Sequence, residues 1–317
     1  MRIRVLYHDH CFDGAASAAF FTRFVEEKFY PGADFSYTGM MHSPNQTWDE
    51  ALFDGDANAI VDFKYAASPN LTWWFDHHQS AFLSHQDSEH FHQANAPWHF
   101  FDPGYRSCTK FISHIARERF GFEAPGLAEL VEWADIIDGA QYENAREAVE
   151  IRMPATKLVL VIEGAQGTGI VQRIIALMQR EALEDIVNDA AVQELFQPLY
   201  SQHLETMELI RKLSHSEKGV VFFDIADSGL EGYNKFIPYY LHPESVYTVS
   251  VLSASFRTKI SVGSNPWAAG PLRHNLATIC ERYGGGGHPR VGAISFPTGD
   301  VERARRVASE IVAELQS

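Results

Sequence analysis

Short apolar runs that stop abruptly at polar residues set the pattern of this chain. Residues 3–7 read as a short buried strand, ended by His8, Asp9 and His10. After a turn, an Ala- and Phe-rich stretch opening at Gly14 predicts a helix to about Tyr30. Two more apolar runs, residues 58–63 and 71–75, predict strands; the first contains Asp62 and the second leads into Asp76, His77 and His78. Cys108, Phe111, Ile112 and Ile115 recur at i, i+3, i+4 and i+7, one face of a helix. A further helix is expected over about residues 127–137.

Strands alternating with helices argue for βαβ units and a mostly parallel sheet. Ligands bind such sheets outside the carboxyl ends of the strands. Placement alone therefore marks Asp13, Asp62 and Asp76 as candidates for one site. From about residue 169 to 218 the chain is polar, helical in pattern and poor in Gly and Pro, as expected of helices joining two domains. Strand patterns resume at 219–223, 246–252 and 259–262. A helix at 272–282, a glycine run, a strand at 291–296 and a helix at 301–315 follow. The expected class is α/β: a mostly parallel sheet flanked by helices (residues 1–165), a helical linker (166–216) and a smaller C-terminal α/β domain (217–317).

Composition narrows the classes. At 317 residues the chain is long enough for two domains, and 45% hydrophobic against 21% charged residues excludes wholesale disorder. The formal charge of −15 repels long polyanions but leaves open a small phosphorylated substrate drawn to a local positive centre such as a metal. Cys11, Cys108 and Cys280 are widely spaced, against a disulfide framework or a cysteine-built zinc site. The first residues lack the apolar run of a signal peptide, and no stretch of about 18 apolar residues predicts a membrane span. A cytoplasmic protein without a membrane partner is expected.

Five constellations carry chemistry. His8, Asp9, His10 and Asp13 place two imidazoles and two carboxylates within six residues at a strand-to-helix turn. Such mixed N and O donors suit Mn²⁺ or a similar divalent ion; the alternative is a polar loop with Asp13 as a helix cap. Asp62 could bridge two metals or simply cap a turn. In Asp76-His77-His78, adjacent side chains of an extended segment point opposite ways. One imidazole can then ligate a metal while its neighbour faces a substrate; surface clustering of histidines is the alternative. Asp135 and Asp138, three apart, share a helix face, so one can be a ligand and the other a supporting or capping group. Gly284–Gly287 before His288 permit a nest of N–H groups that holds phosphate oxygens; a flexible turn is the alternative. His85, His90, His92 and His99 lie in a polar stretch and read as solvated loop residues. Trp73 and Trp74 read as core and rim.

Taken in order and spacing, these motifs resemble those of the DHH phosphoesterase superfamily, which includes RecJ-type exonucleases, nanoRNases, cyclic-dinucleotide phosphodiesterases and family II inorganic pyrophosphatases. The resemblance runs over nearly the whole chain: His8 to Gly14, Asp62, Asp76-His77-His78, Ala134-Asp135, the RecJ-like Glu143-Asn144-Ala145-Arg146, and Gly284 to His288. Two departures stand out. Many members carry D-x-D-G where this chain has Cys11-Phe12-Asp13-Gly14, so His10 is expected to supply the missing ligand. Many also carry an Arg-Ser pair on a C-terminal strand, absent here, with Arg257 and Arg273 nearby. The resemblance implies two divalent ions, Mn²⁺ for preference, in an interdomain cleft. Asp62 would bridge them; His8, His10, Asp13, His77 and Asp135, or Asp138 in a second register, would complete the ligands. It further implies that His78 meets the phosphate or leaving group, that Asp76 orients an imidazole, and that Gly285, Gly286, Gly287, His288 and Arg257 hold the substrate. The expected activity is hydrolysis of phosphodiester bonds in short oligonucleotides or small nucleotides. A pyrophosphatase or polyphosphatase and a nucleotide-binding regulator without turnover are the alternatives. Short single-stranded nucleic acid is an admissible partner, and a homodimer is left open.

Overall fold

A computed structural model of the chain describes residues 1–43, 46–167 and 169–317. The elements run β1 (Arg2–His8), α1 (Phe12–Lys28), β2 (Asp34–Met40), β3 (Ala57–Val61), β4 (Trp73–Asp76), α2 (His85–Ala94), β5 (His99–Phe101), α3 (Cys108–Phe120), α4 (Ala128–Asp138), α5 (Ala145–Val149), α6 (Pro154–Gly164), α7 (Gly169–Met178), α8 (Leu183–Val187) and α9 (Ala190–Leu213). They continue β6 (His215–Glu217), β7 (Val220–Asp224), α10 (Ile237–Leu241), β8 (Tyr247–Ala254), β9 (Arg257–Ser264), α11 (Leu276–Glu281), β10 (Gly286–His288), β11 (Val291–Phe296) and α12 (Val301–Leu315). The α/β class expected from the sequence is the class found.

Two compact units divide the chain: residues 1–142 with 152–199, and residues 143–151 with 200–317. These bounds depart from the expected ones. Helices α6 and α7 pack on α1, and α8 packs on α6 and α7, so residues 166–199 belong to the first unit rather than to a linker. Conversely, α5 belongs to the second unit. The carbonyls of Ala148 and Val149 accept hydrogen bonds from Asn234 Nδ2 (2.9 Å) and His203 Nε2 (2.8 Å), and Tyr240 OH donates to Glu150 Oε1 (3.0 Å).

The first unit is built on a five-stranded sheet in the order β2-β1-β3-β4-β5, every pair parallel. Strand order reverses beside β1, so the carboxyl ends of β1 and β3 flank the topological switch point where doubly wound sheets bind ligands. Val5, Leu6, Ile60, Val61 and Phe75 are buried, which explains why these strands read as continuous apolar runs. Trp73 and Trp74 are both fully buried. Trp73 stacks on Trp98, whereas Trp74 donates Nε1–H to the Phe63 carbonyl and meets Phe82, Phe91 and Phe101. The expected rim position for a tryptophan is therefore not seen.

Residues 85–99 also differ from expectation. Ser84 caps α2 by accepting from the Asp87 N–H, and Phe91 packs against the cluster around Trp74. His90 Nδ1 lies 2.9 Å from Tyr65 OH, and His99 lies on β5. His85, His90 and His92 are exposed as expected, but on a helix rather than a loop; His99 is half-buried.

The second unit carries a six-stranded sheet, β10-β11-β9-β8-β7-β6, in which β7 and β8 are parallel and the other pairs antiparallel. One face packs on α11 and α12 through Val249, Val251, Ile260, Val262, Ile294, Ala304, Ala308 and Ile311. The glycine run is not an open nest. Gly286, Gly287 and His288 form the edge strand β10. A Cβ on Gly285 would lie 2.2 Å from the Ala293 carbonyl oxygen, and one on Gly287 2.2 Å from that of Val291. These glycines let an edge strand lie close on β11.

Candidate metal centre

Three chain turns at the carboxyl ends of β1, β3 and β4 bring the polar motifs together. After β1 the backbone passes through a left-handed conformation at His10 (φ 52°) and enters α1 at Cys11. Gly14 makes this turn possible, because a Cβ there would lie 2.0 Å from the His8 carbonyl oxygen. After β3, Asp62 is itself left-handed (φ 57°), a conformation an aspartate adopts more readily than a branched residue. After β4, Asp76 Oδ1 accepts from the backbone N–H groups of His77 (2.8 Å) and His78 (3.2 Å) and from His78 Nδ1 (2.7 Å). This aspartate shapes the turn and holds the His78 ring, leaving His78 Nε2 available.

His77 is the centre of the arrangement. It is 8% exposed, and its Nδ1 lies 3.1 Å from the Tyr105 carbonyl oxygen. A carbonyl only accepts, so Nδ1 carries the hydrogen and the lone pair of the neutral ring sits on Nε2. That atom is buried without a hydrogen-bond partner. It lies 3.3 Å from Asp62 Oδ1, 3.4 Å from Asp138 Oδ2 and 3.9 Å from Asp13 Oδ2. An imidazole anchored through one nitrogen to a carbonyl, with the other aimed among carboxylates, is how metal-ligating histidines are held.

Asp62 is 1% exposed, and neither of its carboxylate oxygens has a hydrogen-bond partner. His8 Nδ1, also buried and unpartnered, lies 3.4 Å from Asp62 Oδ2. Unmet buried polar groups are costly, and here they all point at one place. Among the described residues, three overlapping sets have ligand atoms mutually within 4.8 Å: His8, Cys11 and Asp62; Asp62, His77 and His78; Asp13, His77 and Asp138. Asp62 is shared by two sets and His77 by two. A divalent cation is the species that would satisfy this donor set, so the residues fit a metal.

The electrostatics agree. Burial and the neighbouring Asp62 and Asp138 charges push the Asp13 carboxyl well above the usual range. Burial opposes ionisation of Asp62 as well, but the His77, His8 and His78 imidazoles outweigh it and hold that carboxyl well below the usual range. Burial would depress His77, yet Asp62, Asp13 and Asp138 lift it to about 10. The cluster therefore competes for positive charge, which a proton on His77 supplies when no metal does.

The other expected ligands divide. Asp13, fully buried, accepts from Cys108 N (2.6 Å), Thr109 N (3.0 Å) and Thr109 Oγ1 (2.6 Å) at the start of α3, so it caps that helix while facing His77. Asp138 stands in the His77 set. Asp135 lies outside all three sets and pairs with Lys110 Nζ at 2.5 Å. His10 is also outside them; its Nε2 lies 4.0 Å from Asp9 Oδ2. Cys11, not expected as a ligand, stands beside His8 and Asp62 instead. His42 belongs to no motif of the sequence. It stacks on Phe63 (centroids 4.5 Å, 13°) and lies 4.8 Å from the His8 ring, and burial with the nearby His8 and Lys64 charges lowers its pKa to about 4. In the second unit Arg257 NH1 lies 3.2 Å from Ser295 Oγ, and His288 is exposed on β10.

Neither family models nor curated proteins match the sequence. Solved structures do. A pGpG-specific phosphodiesterase, PggH from Vibrio cholerae, matches with TM-score 0.71 at 18% identity over 99% of both chains. An exopolyphosphatase-related protein from Bacteroides fragilis matches with TM-score 0.54 at 13% identity, over 99% of this chain and 92% of the other. RecJ from Thermus thermophilus, solved with Mn²⁺, matches with TM-score 0.55 at 16% identity over 99% of this chain and 52% of RecJ. This chain therefore has the fold of these proteins, the one that the resemblance to DHH phosphoesterases implies.

Proposed function

We propose that this protein is a DHH-type, metal-dependent phosphoesterase that hydrolyses phosphodiester bonds in short oligonucleotides or small nucleotides. The observation that carries the reading is His77, anchored by Tyr105 and aimed through an unpartnered Nε2 at the Asp62, Asp138 and Asp13 carboxylates. Two ions, with Mn²⁺ the favoured metal, would be held by His8, Cys11 or His78 with Asp62 on one side, and by Asp13, His77 and Asp138 with Asp62 on the other. When bound, such ions supply Lewis acidity for a phosphoryl group and activate water.

The chain's own residues do the rest. Asp76 fixes the His78 ring through Nδ1, so Nε2 is presented to a phosphate oxygen or leaving group. Burial lowers the His78 pKa, but Asp76 and Asp62 outweigh it and raise it, which favours the proton-donating form. Gly285 to His288 and Arg257 are proposed contacts for the far end of the substrate. The full-length likeness to a pGpG phosphodiesterase supports a dinucleotide-sized substrate; the likeness to an exopolyphosphatase-related protein keeps a second reading alive.

The test is turnover of pGpG, a 5′-labelled pentaribonucleotide, a cyclic dinucleotide, pyrophosphate and polyphosphate by Mn²⁺-loaded protein. Cleavage of the linear nucleotides is expected. Turnover of pyrophosphate or polyphosphate alone would replace this reading with the second. Tight nucleotide binding without turnover would make the protein a regulator.

A further inference from the structure

The set formed by His8, Cys11 and Asp62 differs in kind from the set formed by Asp13, His77 and Asp138. The second offers only oxygen and nitrogen. The first adds sulfur. Cys11 sits at the N-cap of the 17-residue helix α1, where burial and the Asp62, Asp138 and Asp13 carboxylates push its thiol up, against the Gly14 N–H, so that a cation is what would offset the charge of a thiolate there. Its two companions are unsatisfied: His8 Nδ1 and both Asp62 oxygens are buried without hydrogen-bond partners. The left-handed turn at His10 accompanies this exchange, leaving the His10 ring beside Asp9 and Cys11 in the ligand set.

We propose that Cys11 is a thiolate ligand, so that the His8–Cys11–Asp62 position takes a softer divalent ion (Zn²⁺, Co²⁺ or Fe²⁺) than the Asp13–His77–Asp138 position. This deepens the metal-centre reading of the proposed function and rests on it. On binding, the Cys11 S–H proton passes to solvent as the metal–sulfur bond forms, with no change of oxidation state. Thiolate with imidazole and carboxylate suits borderline ions, whereas an all-oxygen-and-imidazole set suits Mn²⁺ or Mg²⁺. The two positions would then fill with different metals from a mixture.

The experiment is titration of the metal-free full-length protein with Co²⁺, read by optical absorption, which separates the thiolate-to-cobalt charge-transfer band in the near ultraviolet from the ligand-field bands in the visible. Wild type and Cys280→Ser, whose sulfur is buried in the second unit, should show both. Cys11→Ser and Cys11→Asp should lose the near-ultraviolet band and keep visible bands, with Co²⁺ and Zn²⁺ bound at least about tenfold more weakly by Cys11→Ser. Melting of each metal-free variant checks its fold. Alkylation of Cys11 in unmutated protein, mapped by peptide mass, should slow on Co²⁺ loading. Cobalt bound with visible bands but no thiolate band, a band that survives in Cys11→Ser, or alkylation indifferent to metal would overturn the role of Cys11 and leave the metal centre standing. Absence of any Co²⁺ binding would overturn both.

Discussion

Asp135 and Asp138, two similar side chains three residues apart, have different partners. Both lie in the last turns of α4, but Asp138 approaches His77 Nε2 while Asp135 is neutralised by Lys110. Asp138→Asn should therefore weaken metal binding about 10- to 100-fold, by the usual cost of losing a group at a metal site. Asp135→Asn should leave it within about twofold, because an exposed ion pair contributes little. Calorimetric Mn²⁺ titration of both variants distinguishes them, and equal losses would void the assignment. At a distance from this centre, His203 donates from Nε2 to the Val149 carbonyl, and burial holds its pKa below the ordinary value. The stability it supports is complete above about pH 6.5, its value in the unfolded chain, and is lost as pH falls through the lower folded value. His203→Gln should flatten the fall in melting temperature as pH drops below about 6.5; an unchanged slope would contradict this.

Among the elements, the strand-to-helix turn at Gly14 is the most constrained. Gly14→Ala must move the start of α1 away from the His8 carbonyl, since the new Cβ would meet it at 2.0 Å. A loss on the order of 2–4 kcal/mol in urea unfolding is expected, together with weakened metal binding. The variant with wild-type stability and metal affinity would refute the tight-turn account. The same elements explain what the sequence made legible. β1, β3 and β4 are buried, so their apolar runs and polar ends stood out, and with them His8, Asp13, Asp62 and His77. β2, Asp34–Met40, is half-buried and mixed in composition, and β5 has three residues, so neither carried a pattern. Choosing Asp138 over Asp135 needed the packing of α4, because both share a face. That Cys11 rather than His10 stands beside His8 and Asp62 needed the backbone, since a left-handed residue breaks the alternation on which side-chain direction is read. The histidines of α2 are exposed, as the sequence suggests, and the helix itself is illegible there because none of its residues is buried and no apolar period marks it.

Across the whole molecule, the formal charge of −15 sets which phosphate esters can approach. A dinucleotide carries few charges to be repelled, whereas a longer strand carries many. Salt screens that repulsion. The ratio of kcat/KM for a 12-mer to that for a dinucleotide should therefore rise as ionic strength goes from about 20 to 200 mM. A falling ratio would mean that a basic track, rather than a local centre, recruits the substrate. Among the described residues no helix is long and apolar enough to cross a membrane.

Residues distant in sequence are proposed to hold divalent ions around Asp62 and His77. Anomalous diffraction from crystals grown with Mn²⁺ tests it most directly. Manganese peaks are expected within bonding distance of His77 Nε2 and the Asp62 carboxylate, with Asp138 beside them. Peaks confined to other carboxylates, with His77 Nε2 left uncoordinated in well-ordered density, would contradict it.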